Sequence, residues 1–325
     1  TVIFVDAEGN EIDRLLGAFG PPEFKVHGEN IVTGKNRLGE ALAKLKQGFS
    51  YDEAYGLVRS LADRNDLARA RPLAIRIVNE DPDFGRPETL DTLVLLAALE
   101  DIAEKVTPET EDLISTYLPR LGQDSRRGVL SVILTREQAR RGDAAGAKAT
   151  VTQALKALGE SSAYAADLLI ALGNAQKNAG QLDAAVATYK RATAASQNAP
   201  RSLQAFVEMN MAEALAAAGK AQEARAAVDS ALQKSGEEPV ALARAAKVAI
   251  LLKDPKDAVA KARRAVGLSQ GEDAEAQAAL AQALAASGDT SGAAEAWKRA
   301  GEIDPQNAEV QKHLKTKKGG PAKTS

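Results

Sequence analysis

The chain has 325 residues, 45% hydrophobic and only 4% aromatic, with 42 basic and 44 acidic side chains for a net charge of -2. That balance offers no global positive field for nucleic acid, and the clearest apolar run, Leu93 to Leu99, falls far short of the roughly 20 residues that span a bilayer. Without cysteine there can be no disulfide, thiolate nucleophile or cysteine-held metal, so redox usage does not reveal the compartment.

In chain order, residues 1–34 stand apart from the rest of the chain. TVIFVDA is a β-branched and aromatic run, EGN a turn and EIDRLLGA a second apolar run, which predicts a β-hairpin. Pro21-Pro22 then opens a helix reaching to about Gly34. A lone hairpin is marginal, so it is expected to cover the first helices or to close a domain whose beginning is missing. The start on Thr1 rather than Met, directly in an apolar strand, reads as a cut start. Residues 35–50 are expected to form a connecting helix.

From residue 51 onward the pattern is helical. Residues 51–121 hold a first pair of helices, at 51–82, and a divergent pair over 87–121 around LDTLVLLAALEDIAEKV and PETEDLISTYLPRL. Residues 122–307 hold regular pairs, the clearest being AEAQAALAQALAASGDTSGAAEAWKRAGEIDPQ, from Ala274 to Gln306. Its Gly288-Asp289 turn and Pro305 are the stop signals expected of two short helices. Equivalent turns fall at Asn65-Asp66, Gly142-Asp143, Gly180-Gln181, Gly219-Lys220 and Lys253-Asp254.

Five residues after each turn's first residue stands an alanine: Ala70, Ala147, Ala185, Ala224, Ala258 and Ala293. Twelve after it stand Ile77, Ala154, Ala192, Ala231, Ala265 and Ala300. Small residues at fixed spacing let two helices pack closely; Ile77 marks the leading unit as looser. Residues 308–325 are expected to contain a short capping helix, begun at 307, and a disordered basic tail, KTKKGGPAKTS.

No constellation for chemistry emerges. His27 and His313 lie far apart without ligand-like neighbours and read as surface residues. The glycine-rich dinucleotide and phosphate-loop motifs are absent. The acid pairs Glu111-Asp112 and Glu237-Glu238 sit at helix starts or in loops, where they suit the helix dipole. A non-enzymatic chain without cofactor or metal is expected.

The alanine positions, the bulky residues between them (Val151, Tyr189, Val228, Trp297), the Leu172-Gly173 pair and the closing Pro82 and Pro305 resemble the tetratricopeptide-repeat family. The resemblance covers residues 51–82 and 124–307. It implies a mainly α fold, a right-handed solenoid of helix pairs, preceded here by the hairpin and helix. The hairpin, with its Asp6-x-x-Gly9 turn and Leu15 to Gly17 close, resembles the C-terminal half of a thioredoxin-like domain. The proline and Cys-x-x-Cys of that family would lie before Thr1, and no thiol chemistry carries onto these residues.

In the tetratricopeptide family the first helix of each pair lines a concave, peptide-holding face. By that resemblance the inward stripe is Asp167, Ile170, Ala171 and Asn174, then Phe206, Met209, Asn210 and Glu213, then Val240, Ala243, Arg244 and Lys247. Asn174, Asn210 and Arg244 match three of five positions of a clamp that holds chain-terminal carboxylates. Ile170 and Val240 stand where that clamp has lysines, which removes much of its charge. Asparagines can instead hold the backbone of any extended peptide. Lys247, Arg136 and Arg140 add basic character, and Phe206 and Met209 read as anchors.

The expected partner is thus a protein or peptide, without nucleic acid or membrane insertion. Two alternatives stay open: a client-delivery, holdase or redox protein with its active site upstream, and a self-assembly module. Bacterial origin fits the composition, and the resemblance to a thioredoxin-plus-repeat protein is compatible with either cytoplasm or periplasm.

Overall fold

The structure, a computed structural model, describes residues 2–5, 7, 11–15, 20–33, 48, 50–64, 66–307, 309–311 and 313. The EGN turn, Gly17, Asn65, nearly all of the connecting helix expected over 35–50, and the tail from 314 lie outside the described residues. The chain divides into two compact units, Thr1–Glu137 and Gln138–Ser325.

The first unit opens with strands β1 (Val2–Val5) and β2 (Glu11–Leu15). They pair antiparallel with Val2 opposite Leu15, and the register shifts between Phe4 and Val5. Helix α1 (Pro21–Val32) follows, its two leading prolines suiting the first turn, where a missing N–H costs nothing. The Phe4 and Phe24 rings stack 6.3 Å apart, and Ile31 is buried, while Val2, Ile3, Val5, Phe24 and Val26 remain exposed.

Helices α2 (Tyr51–Asp63) and α3 (Leu67–Glu80) form the leading pair, and α4 (Pro87–Ile102) and α5 (Pro108–Tyr117) the divergent one. Ile77, the larger residue at a small-residue position, is fully buried in the cluster that contains Leu96 of α4. The exception therefore fills space toward the next pair. A polar tie accompanies it: fully buried Glu100 accepts from Arg71 Nε at 3.0 Å and from the Thr107 backbone N–H at 2.7 Å. Arg71 also reaches Glu109 at 2.7 Å, so one guanidinium joins α3, α4 and α5, and the buried carboxylate is satisfied as burial requires.

Helix α6 (Ser125–Arg140) contains the boundary between the units. In the second unit come α7 (Ala144–Leu158), α8 (Ala165–Asn178), α9 (Leu182–Ala195), α10 (Arg201–Ala217) and α11 (Ala221–Ser235). Then come α12 (Pro239–Leu251), α13 (Pro255–Leu268), α14 (Ala274–Ser287) and α15 (Thr290–Ile303). The turns between partners sit where the spacing places them. Gly142, Gly180, Gly219 and Gly288 adopt φ of +74°, +73°, +75° and +89°, and Lys253 takes the same left-handed conformation at +58°. Second helices open on aspartate caps: Asp143, Asp254 and Asp289 accept from the N–H of Gly146, Asp257 and Gly292, satisfying donors that have no partner within the helix.

Ala147, Ala185, Ala224, Ala258 and Ala293 are all buried, as are Ala154, Ala192, Ala231, Ala265 and Ala300. Alanine-rich clusters fill the spaces between helices: one joins α9 to α12, and another joins α12, α13 and α14. At the far end Trp297 packs on the cluster of Ala278, Ala300 and Val310. His313 stacks on that indole with ring centres 4.3 Å apart, which corrects its reading as a plain surface residue. The side chain of His27 lies outside the described ones.

Candidate functional site

Within the second unit, the first helices of successive pairs adjoin one another, α8 beside α10, α10 beside α12 and α12 beside α14. Side chains one helical turn apart on these neighbours meet, because positions three and four residues apart share a face. Glu213 on α10 is the hub. Its carboxylate accepts from Lys177 Nζ of α8 at 2.6 Å and from Arg244 of α12, Nε at 3.0 Å and Nη2 at 2.6 Å. Burial pushes the Glu213 carboxyl upward, but the charges of Arg244 and Lys177 and their hydrogen bonds outweigh it and hold the group below its usual range.

The stripe expected to hold a peptide divides into two kinds of residue. Asn174 accepts from the Tyr189 hydroxyl at 2.7 Å, so its oxygen serves the packing between α8 and α9. Asn210 is 4% exposed and accepts from Arg244 Nη2 at 2.8 Å, while its Nδ2 has no hydrogen-bond partner among the described residues. Ile170, Ala171 and Ala243 are buried, and so is Met209, at 2%. Met209 therefore forms a wall of the groove, and of the two anchors read from the sequence only Phe206 is exposed. Lys247 lies between Glu275, at 3.3 Å, and Glu309, at 3.6 Å, so it is no isolated cation. Arg136, in the first unit, pairs with Asp101 at 3.0 Å; Arg140 is exposed in the second unit.

What remains open is apolar. Phe206 on α10 is 45% exposed and Val240 on α12 is 48% exposed, and both flank a pocket of 130 Å³. Ala205, Met209, Ala231 and Ala241 supply its apolar lining, with Ser202, Ser235, Glu238 and Arg244 as polar groups. The Arg244 guanidinium carbon lies 5.1 Å from the Phe206 ring centre, a cation–π contact that holds both side chains. The structure thus brings Phe206, Met209, Asn210 and Arg244 together, while Asn174 is held by Tyr189 and Lys247 by Glu275 and Glu309. Sequence reasoning placed Glu213 on the inward stripe without a role and did not single out Lys177 or Glu275. The signal that could have found the hub was that Glu213 occupies the same repeat position as Asn174 and Lys247.

Among the described residues, no group of three or more His, Cys, Asp or Glu could hold a metal ion, and no helix is long and apolar enough to cross a membrane.

No family model matches the sequence, and no curated protein matches it. Among solved structures it is similar to a tetratricopeptide repeat protein from Parabacteroides merdae ATCC 43184, with a TM-score of 0.60 and 13% identity, over 82% of this chain and 98% of that one. It is also similar to a chain of the APC/C hetero-tetramer Cut9-Hcn1, with a TM-score of 0.50 and 16% identity, over 86% of this chain and 52% of that one. At such identities the likeness concerns the fold, an array of tetratricopeptide-like helix pairs.

Proposed function

We propose that the chain is a non-enzymatic interaction scaffold whose second unit holds an extended segment of a partner protein along α8, α10 and α12. The observation that carries this reading is the pair of half-exposed apolar side chains, Phe206 and Val240, on adjoining first helices beside one pocket. An exposed aromatic beside a pocket, with an arginine in contact, has the make-up of a binding hot spot. The Lys177–Glu213–Arg244 ladder fixes the spacing of the helices that present it, so little rearrangement entropy is lost on binding.

The test begins with random peptides displayed against the full chain, followed by fluorescence anisotropy with the peptides recovered. Phe206→Ala and Val240→Ser should weaken binding at least tenfold, the loss expected of anchor residues worth more than about 1.4 kcal/mol. Recovery of no binding peptide, or affinities indifferent to both substitutions, would rule the reading out.

A second reading concerns the start of the chain. Two antiparallel strands followed by α1, with Val2, Ile3, Val5, Phe24 and Val26 exposed, are the features that favour it. In this proposal it is the second half of a thioredoxin-like domain, and the repeats deliver clients to an upstream active site. The encoded sequence before Thr1 decides it: an adjacent proline and an earlier Cys-x-x-Cys, intact or degenerate, are expected, and their absence refutes it.

A further inference from the structure

We infer that the pocket between α10, α11 and α12 takes an internal, uncharged stretch of its partner, one aliphatic side chain with a main-chain carbonyl beside it, and not a chain-terminal carboxylate. This rests on the interaction-scaffold reading and specifies the chemistry of its ligand.

Size comes first. At 130 Å³ the pocket is comparable to the roughly 150 Å³ apolar cavity that accepts a benzene molecule, and far below the roughly 300 Å³ at which small-molecule sites begin. It has room for one leucine-sized group. Ala205, Ala231 and Ala241 keep it open, since any larger residue there would fill it, and Phe206, Val240 and Met209 provide apolar contact.

Charge decides the rest. Lys177 and Arg244 are balanced by Glu213, in contact with both, and by Glu238 in the pocket lining. Arg244 already gives Nε and Nη2 to Glu213 and Asn210. An incoming carboxylate would compete with Glu213 for the guanidinium and approach Glu238, a like charge. A neutral carbonyl meets neither objection. It can accept from Nη1 of Arg244 in the pocket lining, the guanidinium nitrogen that the bonds to Glu213 and Asn210 leave unused. A hydrogen bond from a charged donor on the pocket wall to that carbonyl contributes to affinity.

The chain has two methionines, Met209 in the pocket lining and Met211 outside it, which makes methyl-labelled methionine a local probe. The full chain with 13C-methyl methionine is titrated with N-acetyl-leucine N-methylamide, N-acetyl-leucine and N-acetylglycine N-methylamide up to about 20 mM, enough to detect millimolar binding. The leucine amide should shift the Met209 methyl and leave Met211 in place, with an affinity equal to or tighter than that of the free acid. The glycine amide should shift neither. Phe206→Ala and Val240→Ser, at positions half open to solvent and so compatible with the fold, should weaken the leucine amide several-fold. Tighter binding of the free acid overturns the inference, as does a Met209 methyl indifferent to the leucine amide. If displayed peptides bind while Met209 stays unmoved, this inference fails and the scaffold reading stands; if no peptide is recovered, the scaffold reading itself fails.

Discussion

Gly173 lies against the ring of Tyr189: a β-carbon added at 173 would stand 2.5 Å from Tyr189 Cε1 and 2.8 Å from Cδ1 and Cζ. The ring is fully buried between α8 and α9, and its hydroxyl is held by the next residue, Asn174. Glycine is therefore needed here for clearance, since its helical backbone makes no demand for a positive φ. Gly173→Ala should gain about 1 kcal/mol of helix propensity and lose more to overpacking, about 2–3 kcal/mol. A net loss of about 1–2 kcal/mol in urea unfolding of the full chain is expected; a gain would show that the ring has room to move.

The Tyr189–Asn174 hydrogen bond gives an asymmetric pair of outcomes. Tyr189→Phe leaves Asn174 half-buried and able to find water, and should cost about 1 kcal/mol or less. Asn174→Ala leaves a hydroxyl unpaired on a buried ring and should cost about 1–3 kcal/mol. Burial, together with the nearby Glu213 charge and against that of Arg244, already raises the Tyr189 hydroxyl above its usual range, so ionisation offers no relief near neutrality. Denaturant midpoints that reverse the order would contradict the packing described.

Glu213 contributes to the acid side of stability. Its carboxyl is held below the usual range in the folded chain, so ionised Glu213 contributes stability that is complete at neutral pH. That contribution fades as the pH falls below the ordinary carboxylate range and through the folded value. Glu213→Gln should flatten this acid limb in a melting-temperature series against pH. At pH 7 it should cost about 1–3 kcal/mol, less than a fully buried pair would, because solvent reaches part of the side chain. An acid limb unchanged by the substitution would remove Glu213 from its role as hub.

Lys253 takes the turn position that glycine holds at 142, 180, 219 and 288, with the same left-handed backbone. A β-carbon there costs about 1–2 kcal/mol, and the freedom glycine adds to the unfolded chain returns about half of that. Lys253→Gly should therefore stabilise the chain by about 0.5–1 kcal/mol in thermal or urea unfolding. Gly219→Ala should destabilise it by a similar amount.

Helix pairs were legible in the sequence because what makes them is local. A glycine turn and two alanines at fixed distances from it suffice to bring neighbouring helices close, and every one of those alanines is buried. The leading pair was legible in the same way, and the larger Ile77 reads correctly only once Leu96 of α4 is seen beside it. The binding face was less legible. Phe206 and Met209 lie three residues apart on one helix, yet one is 45% exposed and the other 2%, because Met209 belongs to the buried cluster that joins α9 to α12 and Phe206 does not.

The sequence by itself determined the repeat: the period, the turns and the small residues that permit close packing are properties of neighbouring positions along the chain. The tertiary structure alone decided what the inward stripe does. Stacking α8, α10 and α12 side by side carries Lys177, Glu213 and Arg244, residues more than thirty positions apart, into contact. Those contacts spend the charges that a stripe of basic and amide residues suggested for a ligand. What stays exposed on the stripe is apolar, Phe206 and Val240 at the edge of a small pocket.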